Sequence, residues 1–288
     1  MLVSAVAPSQ RKGQVLKSFK RLQPFPPVVA ELMRVVAEDE AKFKEISALI
    51  RADAAVSAEI LRMANSPLLG ARSQINSVLH AVVVLGLERV RGLVMTLTLR
   101  RFLSSALEVP SLLRCWRHNM ACALLCEELA TACFLAKDPC YTAGLLHDIG
   151  RLALLASFPS DYANALDMAE RYQLGVLECE RGMFGMDHCE AGQWLVEEWG
   201  FPEEFRAITG RHHQSAPEGR FDKISLVQFC CRMSDTLGFM ASVFDLDGAI
   251  PPLWSRLPVA PWYRFPSQSE LSLTIGDKIN ALECSLLN

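Results

Sequence analysis

Two side chains able to do chemistry stand next to each other in the middle of the chain. His147 and Asp148 lie within the largely apolar segment GLLHDIG at residues 144–150. Polar groups in such a segment are expected to be buried, and a buried polar group needs a hydrogen-bond partner or a metal ion. The pair therefore marks the first candidate for a functional site.

Further histidines and a second carboxylate extend this pair into a set of metal ligands. His118 precedes it on an apolar helical stripe, and Asp235 follows on the inward face of a later helix. Imidazole and carboxylate ligands from several helices suit divalent Fe, Mn, Zn or Mg. Such an ion lowers the pKa of a bound water and directs that water at a phosphoryl group. We expect one ion at His118, His147, Asp148 and Asp235, and a second ion at His188, His212 and His213.

A role without metal also explains these residues, taken one at a time. An inward-facing histidine such as His118 is more often a hydrogen-bonded core residue than a ligand. His188 beside Asp187 would then mark a helix start, while His212 and His213 would favour the negative end of a helix dipole. Both explanations stay open at this point.

Helices must position these side chains, because apolar residues recur at three- and four-residue steps and no stretch alternates as a strand does. We predict that Asp138 caps a helix with Pro139 at its first position, and that this helix continues through His147 and Asp148 as far as Ala156. Other helix starts are predicted at Asp53, at Ser77, and at a capping box formed by Asp187 and Glu190.

The sequence divides into four parts. Residues 1–23 are basic and irregular, and prolines at 24, 26 and 27 close them off, which predicts a tail or a linker from a preceding domain. Residues 24–109 form a helical N-terminal part, and residues 110–240 form a helical core. Residues 241–288 begin with a loop rich in proline and aromatic residues and end in a helix from Leu271 to Leu287. The predicted fold class is all-α, a multi-helix bundle preceded by a helical N-terminal subdomain.

Composition narrows the class of protein. The chain is 51% hydrophobic with a formal net charge of -3, so it can bury a large core and has no basic field for nucleic acid. No apolar run reaches the roughly 18 residues of a membrane span, and the N-terminus lacks the pattern of a signal peptide. The ten cysteines form no C-x-x-C pair, and Cys122 and Cys126 have no second pair at zinc spacing. We expect reduced, buried thiols in a cytoplasmic protein.

The order of the polar residues resembles the HD superfamily of metal-dependent phosphohydrolases. His118 lies on an apolar helical stripe, HDIG follows it at residues 147–150, and His212, His213 and Asp235 come later. The resemblance is sharper for the HDOD branch, the HD-related output domain, and it covers about residues 24–240. It rests on PP at 26–27, IRADAAV at 50–56, ILRMANS at 60–66, AVVVLGL at 81–87, WRH at 116–118, GLLHDIG at 144–150, EEWGFP at 197–202 and HH at 212–213.

This resemblance implies an HD-like helical bundle that serves as a non-catalytic regulatory output domain in bacterial signal transduction, as in the response regulators of two-component systems. The implied partners are signalling proteins or an upstream receiver-like domain, with a nucleotide ligand and a homodimer as further candidates. Neither a membrane nor a nucleic acid is expected as a partner.

The chain also resembles the HD-GYP phosphodiesterase branch through HDIG and the paired histidines. Arg151 stands where that branch has lysine, and residues 214–220 contain no Gly-Tyr-Pro. The alternative function is therefore a metal-dependent phosphohydrolase in which Asp148 and Arg151 are catalytic, with Arg151 holding a phosphate.

A helix-turn-helix that binds DNA is a minor alternative over residues 77–99. Two helical runs meet there at Gly86, and four arginines lie on or just after the second run, at Arg89, Arg91, Arg100 and Arg101. The second run is too apolar to lie in a groove of DNA, so a core helical hairpin explains the pattern better.

Overall fold

The computed structural model describes residues 7–22, 27–34, 40–65, 74–103, 108–214, 221–241 and 257–287. These ranges contain helices and no strand, which confirms the all-α prediction. The helices are α1 Pro8–Phe19, α2 Pro27–Arg34, α3 Glu40–Arg51, α4 Ala54–Ala64, α5 Val78–Leu85, α6 Leu87–Phe102, α7 Pro110–Ala130, α8 Lys137–Leu146, α9 Ile149–Ser157, α10 Pro159–Tyr172, α11 Val176–Phe184, α12 His188–Glu198, α13 Glu203–Arg211, α14 Lys223–Thr236 and α15 Gln268–Leu287.

Helix α1 corrects the expectation that residues 1–23 are an irregular tail. Pro8 stands in the first turn of α1, and Val15 and Phe19 are buried against the later helices α9 and α11. The Phe19 ring lies 5.9 Å from that of Trp194 in α12. Arg11 donates to the Gly182 carbonyl of α11. Of the basic residues that suggested a tail, Arg11 and Lys12 contact the later helices, while Lys17 lies on the exposed face of α1.

Helices α2 to α6 pack against one another. The predicted caps are confirmed, because Asp53 accepts a hydrogen bond from the Val56 amide and Ser77 accepts one from the His80 amide. Gly86 separates α5 from α6 with φ of 82°, a backbone angle that glycine adopts without strain. Helix α6 is buried along most of its length and packs on α8, as the helical-hairpin interpretation predicted. Outside the described residues lie Pro24, Pro26, Ser66 and residues 242–256, where a loop was predicted.

Helix α7 lies among the later helices and contacts α8, α14 and α15. Helix α15 confirms the predicted C-terminal helix, and Arg117 and Lys278 join it to α7 through ion pairs with Glu283 and Glu128. No helix of the described residues is long and apolar enough to cross a membrane. The cysteines are free, and most of them are buried. The division of the chain into four parts stays a prediction.

The helix through the His-Asp pair was predicted wrongly in two respects. Its N-cap is Ala136, so that Asp138 lies in the first turn and not at the cap. The helix also ends at Leu146, and α9 begins at Ile149, so His147 and Asp148 lie at a break between two helices. At this break Asp148 leaves the helical conformation, with φ of -107° and ψ of 23°. The two side chains therefore need not follow the spacing of one continuous helix.

Candidate functional site

His118 on α7 is buried, and both of its ring nitrogens face polar atoms. Its Nδ1 lies 2.9 Å from the Phe239 carbonyl and 3.2 Å from Oδ1 of Asp235. Because a carbonyl can only accept, Nδ1 carries a proton. Its Nε2 lies 3.6 Å from Sγ of Cys231. Burial lowers the pKa of His118, but the Asp235 charge and the hydrogen bonds to Asp235 and Cys231 outweigh it, so that the pKa is raised well above its usual value.

His147 faces the same interior from the α8–α9 break. Its Nδ1 donates to the Gly144 carbonyl at 2.6 Å. Its Nε2 is buried and has no hydrogen-bond partner among the described residues. The ring centroid lies 5.5 Å from that of His118 and 5.0 Å from that of His212. Burial holds the pKa of His147 well below its usual value, so the ring is neutral and its Nε2 carries a free lone pair.

Asp148 is the junction of the cluster. Its Oδ2 lies 2.6 Å from Nε of the fully buried Arg151, one helical turn away. Its Oδ1 lies 3.3 Å from Nε2 of His188 and 3.5 Å from Nε2 of His212. Burial raises the pKa of Asp148, but Arg151 and the neighbouring histidines together hold that pKa well below its usual value. The carboxylate is therefore charged.

His188 is the first residue of α12 and is fixed by the helix start. The predicted capping box between Asp187 and Glu190 is confirmed. Glu180 of α11 accepts from the His188 backbone amide at 2.8 Å and from its Nδ1 at 2.7 Å. Burial lowers the pKa of His188, but the Glu180 charge outweighs it and the pKa is raised well above its usual value. Glu180 also accepts from the Tyr162 hydroxyl at 2.5 Å, and the pKa of Glu180 is lowered despite its burial because His188 stabilises the carboxylate.

His212 and His213 complete the cluster from the end of α13. His212 donates from Nδ1 to the Thr209 carbonyl at 2.9 Å, and its Nε2 lies 3.3 Å from Nε2 of His188. Nε2 of His213 lies 2.9 Å from the same atom of His188. Burial lowers the pKa of both residues. The two rings are therefore neutral.

The structure brings all the predicted site residues into one cluster, in which all but the half-buried His213 are buried. His118, His147 and Asp235 form one side, and the other side consists of Asp148, Arg151, His188, His212 and His213. Sequence reasoning missed Glu180 and the approach of Cys231 to His118. Cys231 lies one helical turn before Asp235, so the helical period could have indicated it.

The donor atoms fit a transition-metal ion. Four histidines share one orientation, in which Nδ1 faces an oxygen acceptor and Nε2 points into the cluster: His118, His147, His188 and His212. Oxygen acceptors of this kind orient metal-binding histidines in other proteins. Tetrahedral nitrogen ligands at about 2.1 Å from an ion lie about 3.4 Å apart, close to the 3.3 Å between Nε2 of His188 and His212. Imidazole nitrogen suits Zn or Fe, whereas Mg and Mn prefer oxygen ligands.

An all-helical bundle that holds a His-Asp pair and further inward-facing histidines at its centre is an HD-type domain. The HDOD domain family matches residues 22–215, and the chain belongs to that family. This confirms the resemblance found in the sequence.

Solved structures share the fold. An HDOD domain protein of unknown function from Geobacter sulfurreducens has a TM-score of 0.70 at 19% identity, covering 96% of this chain and 97% of its own. A candidate phosphohydrolase from Shewanella amazonensis SB2B has a TM-score of 0.63 at 22% identity, covering 94% and 96%. A candidate signal transduction protein from Marinobacter aquaeolei VT8 has a TM-score of 0.68 at 19% identity, covering 99% of this chain and 66% of its own.

Among curated proteins, an uncharacterized protein of Treponema pallidum (strain Nichols) is 24% identical over 255 residues. That match covers 86% of this chain and 47% of the relative, so the chain spans about half the length of the curated relative it matches.

Proposed function

We propose that the chain is a regulatory output domain of bacterial signal transduction that works through protein contacts and not through turnover. Its partners would be signalling proteins, an upstream receiver-like domain or a second copy of itself, in the cytoplasm. Membership of the HDOD family and the fold shared with a candidate signal transduction protein support this proposal.

One observation carries it: the buried charges balance each other. Asp148 pairs with Arg151, Glu180 with His188, and Asp235 with His118, so that three carboxylates meet three cations. Burial lowers the pKa of His147, His212 and His213, so these three rings are neutral. A buried charge is costly unless it is paired, and here each pair is formed within the chain. The cluster therefore has the internal balance of a structural core.

The same geometry opposes catalysis in this conformation. His147, Asp148, Arg151 and His188 are each no more than 2% exposed, whereas a hydrolytic metal site keeps one ligand position open to water and substrate. Arg151, which would hold a phosphate in an enzyme, instead holds Asp148 at 2.6 Å. A substrate would have to separate this buried pair before reaching either residue.

Turnover measurements test the proposal. The protein is loaded separately with Mn, Fe and Zn and assayed on a phosphodiester substrate and on cyclic dinucleotides. We expect the same background rate from the protein, from His147→Ala and from the control His80→Ala, a histidine outside the cluster. Turnover that disappears in His147→Ala and persists in His80→Ala would overturn the proposal.

The second candidate function is a metal-dependent phosphohydrolase, favoured by the inward Nε2 atoms and above all by the unpartnered Nε2 of His147. His118, His147, Asp148 and Asp235 would hold one ion, with His188, His212 and His213 at a second. A bound ion would supply an activated water. For this role Arg151 must leave Asp148 and bind the substrate phosphate, including that of a nucleotide. Metal uptake together with the turnover described above would establish this function.

A further inference from the structure

The charge pairs do not account for Nε2 of His147. Nε2 of His147 is buried, carries a lone pair, and has no partner among the described residues. Leaving a buried polar atom unpaired costs about 1–3 kcal/mol. Three potential ligand atoms lie together here, one each from His118, His147 and Cys231, all within 4.8 Å of one another. The unpaired nitrogen therefore faces two further ligand groups.

The anionic group that lies together with both His118 and His147 is a thiol, whereas the Asp148 carboxylate lies together with His147 and His212. Arg151 holds Oδ2 of Asp148. Asp235 lies 3.2 Å from Nδ1 of His118, on the side of the ring that also faces the Phe239 carbonyl. Nε2 of His118 instead faces Sγ of Cys231, whose side chain is buried. Asp235 therefore lies behind His118, in the position of an outer partner.

We propose that His118 Nε2, His147 Nε2 and Cys231 Sγ form a binding site for a soft divalent ion, with zinc as the best fit. Thiolate and imidazole together select zinc over the magnesium or manganese expected at a carboxylate-rich site. Asp235 orients His118 and does not bind the ion. The inference goes beyond the proposed regulatory function and requires no turnover.

The charges balance when the ion binds. The Cys231 thiol and Nε2 of the positively charged His118 ring each lose a proton to solvent, because metal binding requires a thiolate and a neutral imidazole. The two positive charges of zinc then face the thiolate and the Asp235 carboxylate, with neutral imidazoles as the other ligands. No other redox or covalent change is involved, and His147 Nε2 gains the partner that it lacks.

X-ray absorption at the zinc edge tests the site in the full chain loaded with one equivalent of zinc. We expect one sulfur at about 2.3 Å and nitrogen at about 2.0–2.1 Å. Cys231→Ser should lose the sulfur and bind zinc roughly 100-fold more weakly or worse. The matched control is Cys230→Ser, which removes the neighbouring buried thiol and should retain the sulfur.

Asp235→Asn separates the two possible roles of that residue. As an outer partner its loss should weaken zinc binding by about 10- to 100-fold while the sulfur and nitrogen ligands stay the same. Should a variant fail to fold, the wild-type protein loaded with cobalt still reports the site, because a thiolate ligand gives a sulfur-to-cobalt charge-transfer band.

Absence of zinc uptake, or a shell of nitrogen and oxygen alone, would overturn this inference and leave the regulatory proposal standing. Loss of the sulfur in Cys230→Ser would overturn it as well. A sulfur ligand combined with His147-dependent turnover would support the site and overturn the regulatory proposal. The two failures are therefore distinguishable.

Discussion

Glu180→Gln tests the buried charge network most directly. The Glu180 carboxylate has no exposed surface and accepts from the Tyr162 hydroxyl, the His188 amide and Nδ1 of His188 at 2.5, 2.8 and 2.7 Å. Glutamine keeps the size of the side chain but loses the charge and presents an NH₂ group that can only donate. His188 would lose the carboxylate that chiefly raises its pKa, in a place that water does not reach.

The expected loss is about 3–5 kcal/mol of unfolding free energy, the cost of removing one partner of a buried ion pair. Hydrogen bonds to a charged group contribute about 1.5–3 kcal/mol each. The two bonds from His188 alone therefore give a similar figure. Because such contributions are not additive within one network, the third bond does not raise the expected value.

The effect should depend on pH in a defined direction. His188 has a raised pKa in the folded protein, so its contribution is complete below its unfolded value of about 6.5 and is lost as pH rises through the folded pKa. Glu180 has a lowered pKa, so its contribution is complete above its unfolded value of about 4.3 and is lost as pH falls through the folded pKa. The difference between wild type and variant is therefore largest between about pH 4.3 and pH 6.5.

Urea unfolding of chelator-treated protein, followed by circular dichroism at pH 6 and at a series of higher pH values, measures this difference. Glu178→Gln is the matched control, because Glu178 lies two residues earlier on the same helix and is exposed. A loss below about 1 kcal/mol at pH 6, the typical effect of any point substitution, would refute the reasoning. So would a loss that stays constant as pH rises.

Three further substitutions test the framework around the site. Gly150→Ala should destabilise the protein by more than about 3 kcal/mol in thermal unfolding, because its Cβ would collide with backbone atoms of α12, while Gly13→Ala meets no atom and should not destabilise it. Phe19→Ala should cost about 3–5 kcal/mol and change Trp194 fluorescence; an unchanged spectrum would contradict the docking of α1. Asp187→Ala should cost about 0.5–2 kcal/mol in urea unfolding, and no loss would contradict the capping box.

Local signals in the sequence predicted local structure well. The caps at Asp53, Ser77 and Asp187 were predictable because a capping side chain bonds within three residues of itself. The break at His147 and Asp148 was not, since apolar residues keep their helical spacing on both sides of it. Helix α1 was missed because its basic residues outnumber its few buried apolar ones.

The candidate site was predictable as a set but not in its details. The order of the histidines and aspartates indicated that they would meet, and they do. Glu180 could not be found, because it lies between charged neighbours at residues 178–181 and its burial follows from the packing of α11 on distant helices. Which nitrogen of His118 faces Asp235 and which faces Cys231 depends on ring orientation, and no spacing in the sequence encodes that.

The contact between α9 and α12 has a consequence for how this protein can evolve. A side chain at Gly150 would meet the His188 carbonyl and the Gly192 amide, which are backbone atoms. In an ordinary core contact between two side chains, a substitution to a larger residue can be compensated by substitution of its neighbour with a smaller one. No second substitution can remove a backbone atom, so a suppressor would have to shift the backbone of α12 away from α9. The carbonyl belongs to His188. Substitution of Gly150 would therefore also displace a histidine of the site.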